Sequence, residues 1–415
     1  MVGKGTLLVI LGFSLVFGIA SQYWNRTSTA AVDNFVQYYN QTVAHNIAVS
    51  AANIAADSVF WNSNATSLAL GGSFSGGTYT ISTVLSGSNV IITSVGSYSR
   101  FSDTVAVILE PYYFSRFAVY TSVMGGVSWA TGDTVWGRYH NEQDKINILG
   151  SPVFYGKVTS KLGTNPTLPD RRGRATPQFY GGYQSGVSIP MPNTSTANVL
   201  SAANSGGKVF NNPSNGLYDV YLTFNSDGTV TFKDNTMSSD STVALRTLAT
   251  NGVIMVNKGN LHVKGTLNGQ ATVGAVGSSG LGYGNVYIEG DVVYNTDPQT
   301  NPNSTDMLGL VAENNVTVKT PPPASPQYNY TIDAAIFAQK GQFNAYVTNS
   351  TPIEGSIKVY GSISNYQLGA TAIGDNYGNV THGWSSNYKF DTRFNNQKPP
   401  SYPSTGRFQI VSWYE

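Results

Sequence analysis

The histidines and acidic residues are the side chains of this sequence that could transfer protons or bind a metal. The four histidines are His45, His140, His262 and His382. They stand far apart, and none has a partner at metal-ligand spacing. Glu142 and Asp144 follow His140 in "HNEQDK", a cluster more typical of a solvated turn than of an acid–base pair. We therefore expect no bound metal, no cofactor and no enzymatic activity.

The composition narrows the function classes further. The chain has 415 residues, enough for two or three domains, and its lack of cysteine excludes disulfides and thiolate chemistry. Its net charge is +1, and only 11% of its residues are charged, against about 25% in ordinary soluble domains. The basic run "DRRGR" (170–174) is too short for a nucleic-acid site, so no nucleic-acid partner is expected. A composition that is nearly neutral and rich in hydroxyl and amide side chains is common in secreted and surface proteins.

The N-terminal segment is the strongest pattern in the sequence. Residues 6–24 are uncharged, and about 20 apolar residues suffice to cross a bilayer. Tyr23 and Trp24 stand where an interfacial aromatic belt would lie. The bulky residues of "IASQYW" fit a signal-peptide cleavage site poorly. A membrane anchor, the buried core of a filament and a cleaved signal all remain open from this segment alone.

The helical pattern continues far beyond the apolar run. No glycine or proline occurs from Ile19 to Leu70, and apolar residues recur at steps of three and four through Ile54. We predict one helix over residues 6–58, about 80 Å long. Its first half is apolar on all sides, and its second half is amphipathic and suited to packing on a globular domain.

This N-terminus, with Lys4-Gly5 before the apolar run, resembles that of type IV pilin-like proteins. The resemblance implies processing at Lys4-Gly5 and a subunit stored in the inner membrane. It also implies that pilus-type machinery assembles the subunit with further copies of itself. Major pilins carry a glutamate five residues into the mature chain, whereas this sequence offers Ile10 or Gly5 there. The residues expected in the filament core are Leu7, Leu8, Ile10, Leu11, Phe13, Leu15, Phe17 and Ile19.

Downstream of the helix the sequence changes to β patterns. Residues 71–111 contain three alternating runs, at 78–84, 89–95 and 104–109, which predict a small antiparallel sheet packed on the helix. A hairpin is expected at 216–234, closed by a Ser-Asp-Gly turn.

A repeat begins near residue 250. Three segments share one pattern: "GNLHVKGTL" (259–267), "GNVYIEGDV" (284–292) and "GSIKVYGSI" (355–363). Stacked repeats of this kind predict a β-solenoid-like domain, with an antiparallel sandwich as the alternative. The expected inward residues are Leu261, Val263, Leu267, Val286, Ile288, Val292, Ile357, Val359 and Ile363.

The outward positions of the same repeats are where a solenoid enzyme would carry its catalytic groups. They are His262 and Lys264, Tyr287 and Glu289, Lys358 and Tyr360. The match of Lys264 with Glu289 predicts a surface ion pair, and no acid faces a base. The many aromatic residues make surface glycans a candidate partner, although core and interface roles are commoner.

The expected fold is mainly β with one long N-terminal helix. Its parts are a helix (1–58), a small β domain on that helix (59–160), an irregular connector with a hairpin (161–249), a β-solenoid-like domain (250–366) and an aromatic, proline-rich cap (367–415). The runs "ATGDTVWG", "GSPVFYGKV" and "IVSWYE" are similar to a family of bacterial surface proteins that join a pilin-like start to a β-solenoid-like region.

We expect a structural subunit of an extracellular filament on the cell surface, used for adhesion. The alternative is a single-pass, membrane-anchored carbohydrate-binding protein or polysaccharide-degrading enzyme on a β-solenoid scaffold.

Overall fold

The computed structural model describes residues 3–61, 67–214, 216–319, 328–374 and 380–415. The chain forms two compact units, Met1–Pro111 with Arg407–Glu415, and Tyr112–Gly406. The first is called the helix unit below and the second the rung unit.

The secondary-structure elements are numbered in chain order. The helices are α1 (Gly3–Trp61), α2 (Ser195–Asn204) and α3 (Leu245–Leu248), with 3-10 turns at Phe114–Arg116, Ser279–Leu281 and Thr392–Asn395. The first strands are β1 (Ala69–Phe74), β2 (Gly77–Ser86), β3 (Asn89–Tyr98), β4 (Phe101–Tyr113), β5 (Val119–Val123), β6 (Trp129–Ala130), β7 (Thr134–Val135), β8 (Tyr139–Asn141), β9 (Ile146–Leu149), β10 (Val153–Phe154), β11 (Val158–Ser160), β12 (Thr164–Asn165), β13 (Gln178–Phe179), β14 (Tyr183–Ser185) and β15 (Lys208–Asn211). The remaining strands are β16 (Asp219–Phe224), β17 (Thr229–Asp234), β18 (Ser241–Ala244), β19 (Val253–Asn257), β20 (Asn260–Leu267), β21 (Gln270–Val276), β22 (Val286–Tyr294), β23 (Met307–Ala312), β24 (Val316–Val318), β25 (Tyr330–Ala338), β26 (Phe343–Ala345), β27 (Ile353–Gln367), β28 (Ala372–Gly374), β29 (Val380–Phe390) and β30 (Ser404–Tyr414).

Helix α1 is unbroken over 59 residues, which corresponds to about 88 Å. Its buried residues all lie in the C-terminal third and are mostly alanine: Ala44, Ile47, Ala48, Ala51, Ala52, Ala55, Ala56 and Val59. Such small side chains let a sheet approach the helix backbone closely. Gly96 in β3 completes the fit, because a Cβ there would overlap the carbonyl oxygen of Ala44 and the amide nitrogen of Ala48.

The sheet of the helix unit has the order β1-β2-β3-β4-β30, and its first four strands pair antiparallel in sequence. Alternate residues of these strands, including Val90, Ile92, Val105 and Val107, face the alanine side of α1. The predicted fold class, mainly β with one long N-terminal helix and an antiparallel sheet, is confirmed.

The rung unit is built from short parallel strands that stack on one another. Two columns run side by side, β15-β19-β21-β23-β25-β27 and β16-β20-β22-β24-β26. The first two sequence repeats are direct neighbours, with Leu261 opposite Val286 and Val263 opposite Ile288. All nine residues expected to point inward are at most 4% exposed. Their aliphatic side chains form the core between the columns.

The stack continues past the last repeat with strands from much earlier in the chain. Ile363 of β27 pairs with Val119 of β5, and the order then runs β5-β8-β11-β14, all parallel. The stretches 59–160 and 161–249 were expected as a helix-bound β domain and an irregular connector. Instead, residues from Tyr112 onward belong to the rung unit, and 158–185 contributes rungs. Rungs of two or three residues are too short to show alternation in a sequence.

Two further predictions concern the hairpin at 216–234 and the C-terminal tail. The hairpin at 216–234 is present as β16 and β17, with Asp227 accepting a hydrogen bond from the Thr229 amide at 2.9 Å. The tail, expected as an end cap, crosses the flank of the stack instead. Pro400 accepts a hydrogen bond from Thr272 of β21, and the Tyr402 ring packs edge-on against Phe337 of β25.

An asparagine ladder fastens one corner of successive rungs. The side-chain oxygen of Asn260 accepts from the Asn285 amide at 3.1 Å, and that of Asn285 accepts from the Asn315 amide at 3.2 Å. Asn315 in turn accepts from the Gln342 amide at 3.1 Å. Each side chain thus satisfies a backbone donor at a turn, which a buried turn requires.

Candidate functional site

The exposed half of α1 is the feature of the molecule that most needs an explanation. No residue from 3 to 39 is buried in the chain. The eight residues predicted for a filament core are each 58–72% exposed: Leu7, Leu8, Ile10, Leu11, Phe13, Leu15, Phe17 and Ile19. A helix that is apolar on all sides is stable only inside a protein core or a membrane. The chain by itself therefore leaves this surface uncovered.

By length and composition, α1 could cross a membrane. Its most apolar 18-residue window has a mean hydropathy of 1.8, and none of that window is buried. Lys4 and Gly5 lie in the first turns of the helix and are exposed, with nothing within 4 Å of a Cβ built on Gly5. Ile10 follows in the same exposed row, and residues 3–10 include no acidic side chain.

A second apolar patch lies beyond the membrane-length segment. Its members, named the distal patch here, are Val32, Phe35, Val36, Tyr38 and Tyr39, each 47–69% exposed. Tyr39 stands 15 residues after Trp24, which corresponds to about 22 Å of helix. A hydrocarbon layer of about 30 Å is already spanned by the residues before Trp24. Lipid that covers the apolar run does not reach the distal patch.

The charged residues of α1 are confined to one side. Between Gly5 and Ala56 the acidic, lysine and arginine side chains are Arg26 and Asp33 only. At about 100° per residue, both lie on the helix side that carries Ala44 and Ala48, the side covered by the sheet. The opposite side, which includes Phe35 and Tyr39, is uncharged over this whole length.

His140 and Glu142 form a buried pair, and the expectation of a solvated turn is wrong. The ring Nε2 atom lies 3.0 Å from a Glu142 carboxylate oxygen, and both side chains are at most 2% exposed. Glu142 also accepts hydrogen bonds from Ser188 at 2.7 Å and from the Ile189 amide at 2.6 Å, and Lys161 lies 3.2 Å away. Burial raises the pKa of this carboxyl, but these donors together lower it to about 2. The network connects the His140 ring with Lys161 and with the segment at 188–189.

His262 also has acidic partners. Its Nδ1 atom lies 2.5 Å from Glu289, and its Nε2 atom lies 3.6 Å from Asp219. Burial disfavours the charged ring, but these two carboxylates raise the pKa of His262. The ring stacks on Tyr221, with centroids 4.4 Å apart, and makes a tilted contact with Tyr287, with centroids 4.9 Å apart. Glu289 was expected to pair with Lys264 and bonds to the histidine instead.

The other two histidines have local partners. His45 lies 2.8 Å from Asp103 of β4, and His382 bonds to the carbonyl of Thr351 at 2.7 Å. Among the described residues no group of three or more histidine, aspartate and glutamate side chains could hold a metal ion.

A scan of the sequence finds no protein-family model and no curated protein that matches it. Among solved structures, the chain is similar to the competence-associated pilin ComZ from Thermus thermophilus. The sequence identity is 13%, the TM-score is 0.35, and the alignment covers 90% of this chain and 97% of that one. A similarity at this level assigns no family and no function to this chain.

The sequence pattern does not distinguish the distal patch from the rest of the amphipathic half of α1. Val32, Val36 and Tyr39 continue the steps of three and four residues in the half of the helix that is predicted to pack on a globular domain. The sheet instead begins to bury α1 only at Ala44. Arg26 lies after the membrane-length run and before the distal patch. This charge is the sequence signal that could have indicated two separate apolar patches.

Proposed function

We propose that this chain is a pilin-like structural subunit of an extracellular filament, in which the α1 helices of many copies pack together. The observation that carries the proposal is the distal patch. It extends the apolar surface of α1 about 22 Å beyond Trp24, where lipid does not cover it. Further copies of the same helix cover both the apolar run and the patch.

The distribution of charge supports this packing. A charged side chain enclosed in a helix bundle is costly unless it is paired. The side of α1 that points away from the sheet carries no charge between Gly5 and Ala56. Copies that meet through this side bury only apolar, aromatic and neutral polar groups.

Burial of the apolar side chains of α1 between copies supplies a large free energy of assembly to a chain that has no disulfides. Burying one leucine, isoleucine or phenylalanine side chain contributes about 1.5–3 kcal/mol. Each copy offers the eight residues of the apolar run and the distal patch, and every contact is repeated along a polymer. Assembly through α1 therefore stabilises the filament without covalent links.

The proposed life of the subunit has two stages. Before assembly, the apolar run lies in the inner membrane with Tyr23 and Trp24 at its surface. Pilus-type machinery then moves the helix into the bundle, and processing at Lys4-Gly5 belongs to this stage. The filament displays the rung units at the cell surface, where they serve adhesion. This role is structural and includes no catalytic step.

The alternative function is a single-pass carbohydrate-binding protein that stays in the membrane. Both functions use the apolar run and the rung unit. A membrane anchor, however, leaves the distal patch without a contact surface. The two functions therefore predict different effects of a charged substitution in the distal patch. It should prevent filament assembly in the first case and have no effect on a membrane anchor in the second.

The test places an aspartate in each patch of the full-length chain in its host cells. Phe35→Asp is expected to abolish filaments in the sheared fraction while the subunit still sediments with membranes, because residue 35 lies outside the lipid. Phe13→Asp is expected to impair both membrane insertion and filaments. Filaments are counted by negative-stain electron microscopy with an antibody against the rung unit.

Phe74→Asp is the matched control, since Phe74 is an exposed phenylalanine of β1, 50% exposed, that lies off the helix. It should leave filament number unchanged. Normal filaments from Phe35→Asp cells, or no filaments from unaltered cells with the chain found only in membranes, would contradict the proposal and favour the anchor.

A further inference from the structure

A groove crosses successive rungs of the rung unit on the side of β24 and β26. Its volume is about 530 Å³, within the roughly 300–1,000 Å³ of small-ligand sites. Its walls come from strands far apart in the sequence, from Tyr287 in β22 to Gln367 at the end of β27 and to Val127. It thus runs along the stacking direction and not along one strand.

The polar groups of the groove are carboxamides and hydroxyls. They come from Asn315, Thr317, Gln342, Asn344 and Gln367. The described lining contains no charged residue. A phosphate-bearing or acidic ligand would need cationic partners, which this lining does not provide.

Several of these groups have unused hydrogen-bonding capacity. Asn315 and Asn344 use their side-chain oxygens as acceptors, from the Gln342 amide and from the Thr317 hydroxyl at 2.8 Å. Within the part of the chain that the structure describes, no bond engages their side-chain NH₂ groups, nor the side-chain amides of Gln342 and Gln367. These amides line the open groove, so a ligand with hydroxyl groups would find both donors and acceptors there.

Aromatic rings flank the amides. Tyr346 is 71% exposed and stands at the rim, and Tyr287 lies in the lining. Tyr287 is also the end of the row of rings Tyr221, His262 and Tyr287, which the strand register places on three successive rungs. The register then carries this row on to Thr317 and Asn344. One outward side chain is therefore presented per rung, at the strand spacing of about 4.8 Å.

We propose that this groove binds an uncharged polysaccharide that lies along the stack. A neutral sugar chain offers hydroxyls to the carboxamides and an apolar ring face to the exposed ring of Tyr346, and it needs no ion pair. A repeating ligand also matches a wall that repeats once per rung. A peptide is disfavoured because the groove lacks a deep apolar pocket for an anchor residue, and the strands beside it already pair with each other. The site is independent of filament assembly.

The test uses the full-length chain in detergent micelles and its co-sedimentation with insoluble cellulose, chitin and starch, with cross-linked polygalacturonate as the anionic comparator. The unaltered chain is expected to bind at least one of the three neutral polymers and to bind polygalacturonate more weakly. The double variant Gln342→Ala with Tyr346→Ala is expected to lower the bound fraction at least fivefold.

The matched control is Gln184→Ala with Tyr180→Ala, an exposed glutamine and an exposed tyrosine on the terminal rung. It should bind as the unaltered chain does, and both double variants should show the thermal unfolding midpoint of the unaltered chain. Three results each overturn the proposal: no binding to any neutral polymer, equal loss in both double variants, or stronger binding to polygalacturonate.

Discussion

At the scale of single residues, Glu142 shows how the rung unit uses a buried charge. Its carboxylate is 2% exposed and meets His140, Lys161, Ser188 and the Ile189 amide. The last two lie 46 and 47 residues further along the chain. One side chain thus ties a loop at 188–189 to strand β8, and the carboxylate form is the one that all these donors favour.

The pKa of Glu142 gives this tie a pH dependence. Its value falls from 4.5 to about 2 in the folded chain. The carboxylate therefore stabilises the fold fully above the unfolded pKa of about 4.5, and this stabilisation is lost as the pH falls toward 2. Glu142→Gln is expected to lower the stability of the rung unit by about 3 kcal/mol at pH 7, with the difference vanishing near pH 2.

Hydrogen-exchange protection of the β8 amides, measured from pH 7 downward with rates corrected for pH, reports this difference. Asp240→Asn, at an exposed position just before β18, serves as the control and should change protection little at any pH. A deficit in the Glu142 variant that stayed constant down to pH 2 would show that the carboxylate charge is not what stabilises the loop.

The sequence could not reveal these residue pairs. "HNEQDK" contains only the short-range half of the Glu142 network, and the donors at 188–189 carry no sequence signal that links them to it. Likewise, the contact of His262 with Asp219 depends on the register between β16 and β20. Which of the outward residues meet is decided by that register and by the bulge in β22 after Ile288.

At the scale of elements, the fit of α1 to its sheet depends on the absence of a side chain at Gly96. A Cβ there would overlap the backbone of Ala44 and Ala48. Because the overlap is with backbone and not with a flexible side chain, helix and strand must separate. Gly96→Ala is expected to destabilise the helix unit by about 1–3 kcal/mol.

A fall in the chemical unfolding midpoint, followed by hydrogen exchange in β3, would measure this effect. Gly71→Ala in β1 is the control, since its Cβ would lie 3.4 Å from the Tyr79 carbonyl oxygen, an ordinary contact. Equal stability of the two variants would mean that the close helix–strand approach contributes nothing.

Element type was predictable where a period is long enough to be read. Helix α1 follows from steps of three and four without glycine or proline, and β2, β3 and β4 follow from alternating runs of six or seven residues, although the strands themselves are ten to thirteen residues long. Strands β6, β7, β10 and β12 have two residues each, so no period exists in them. Their β conformation is imposed by the neighbouring rungs on which they stack.

At the scale of the whole rung unit, the order of the stack departs from the order of the chain. The rungs of 119–185 join β27, a strand more than 200 residues later, through Val119 and Ile363. The three sequence repeats indicated stacking, but they carried no sign that an earlier segment closes onto the last repeat. This contact joins two runs of rungs. Within each run, the strands that pair with each other lie close together in the sequence.

Stacked repeats are stabilised mainly by contacts between nearest neighbours. A substitution that creates a cavity at the junction should therefore destabilise the rungs on both sides of it. A cavity at the far end of the stack should leave these rungs unchanged. Ile363 is 4% exposed, and Ile363→Ala is expected to cost about 2–5 kcal/mol and to raise hydrogen exchange in 119–160 as well as in β27. Leu222→Ala in β16, 1% exposed, is the matched cavity at the opposite end and should raise exchange only in β16 and in its paired neighbours β17 and β20. If Ile363→Ala leaves 119–160 protected, those rungs are stable without the junction and the two runs fold independently.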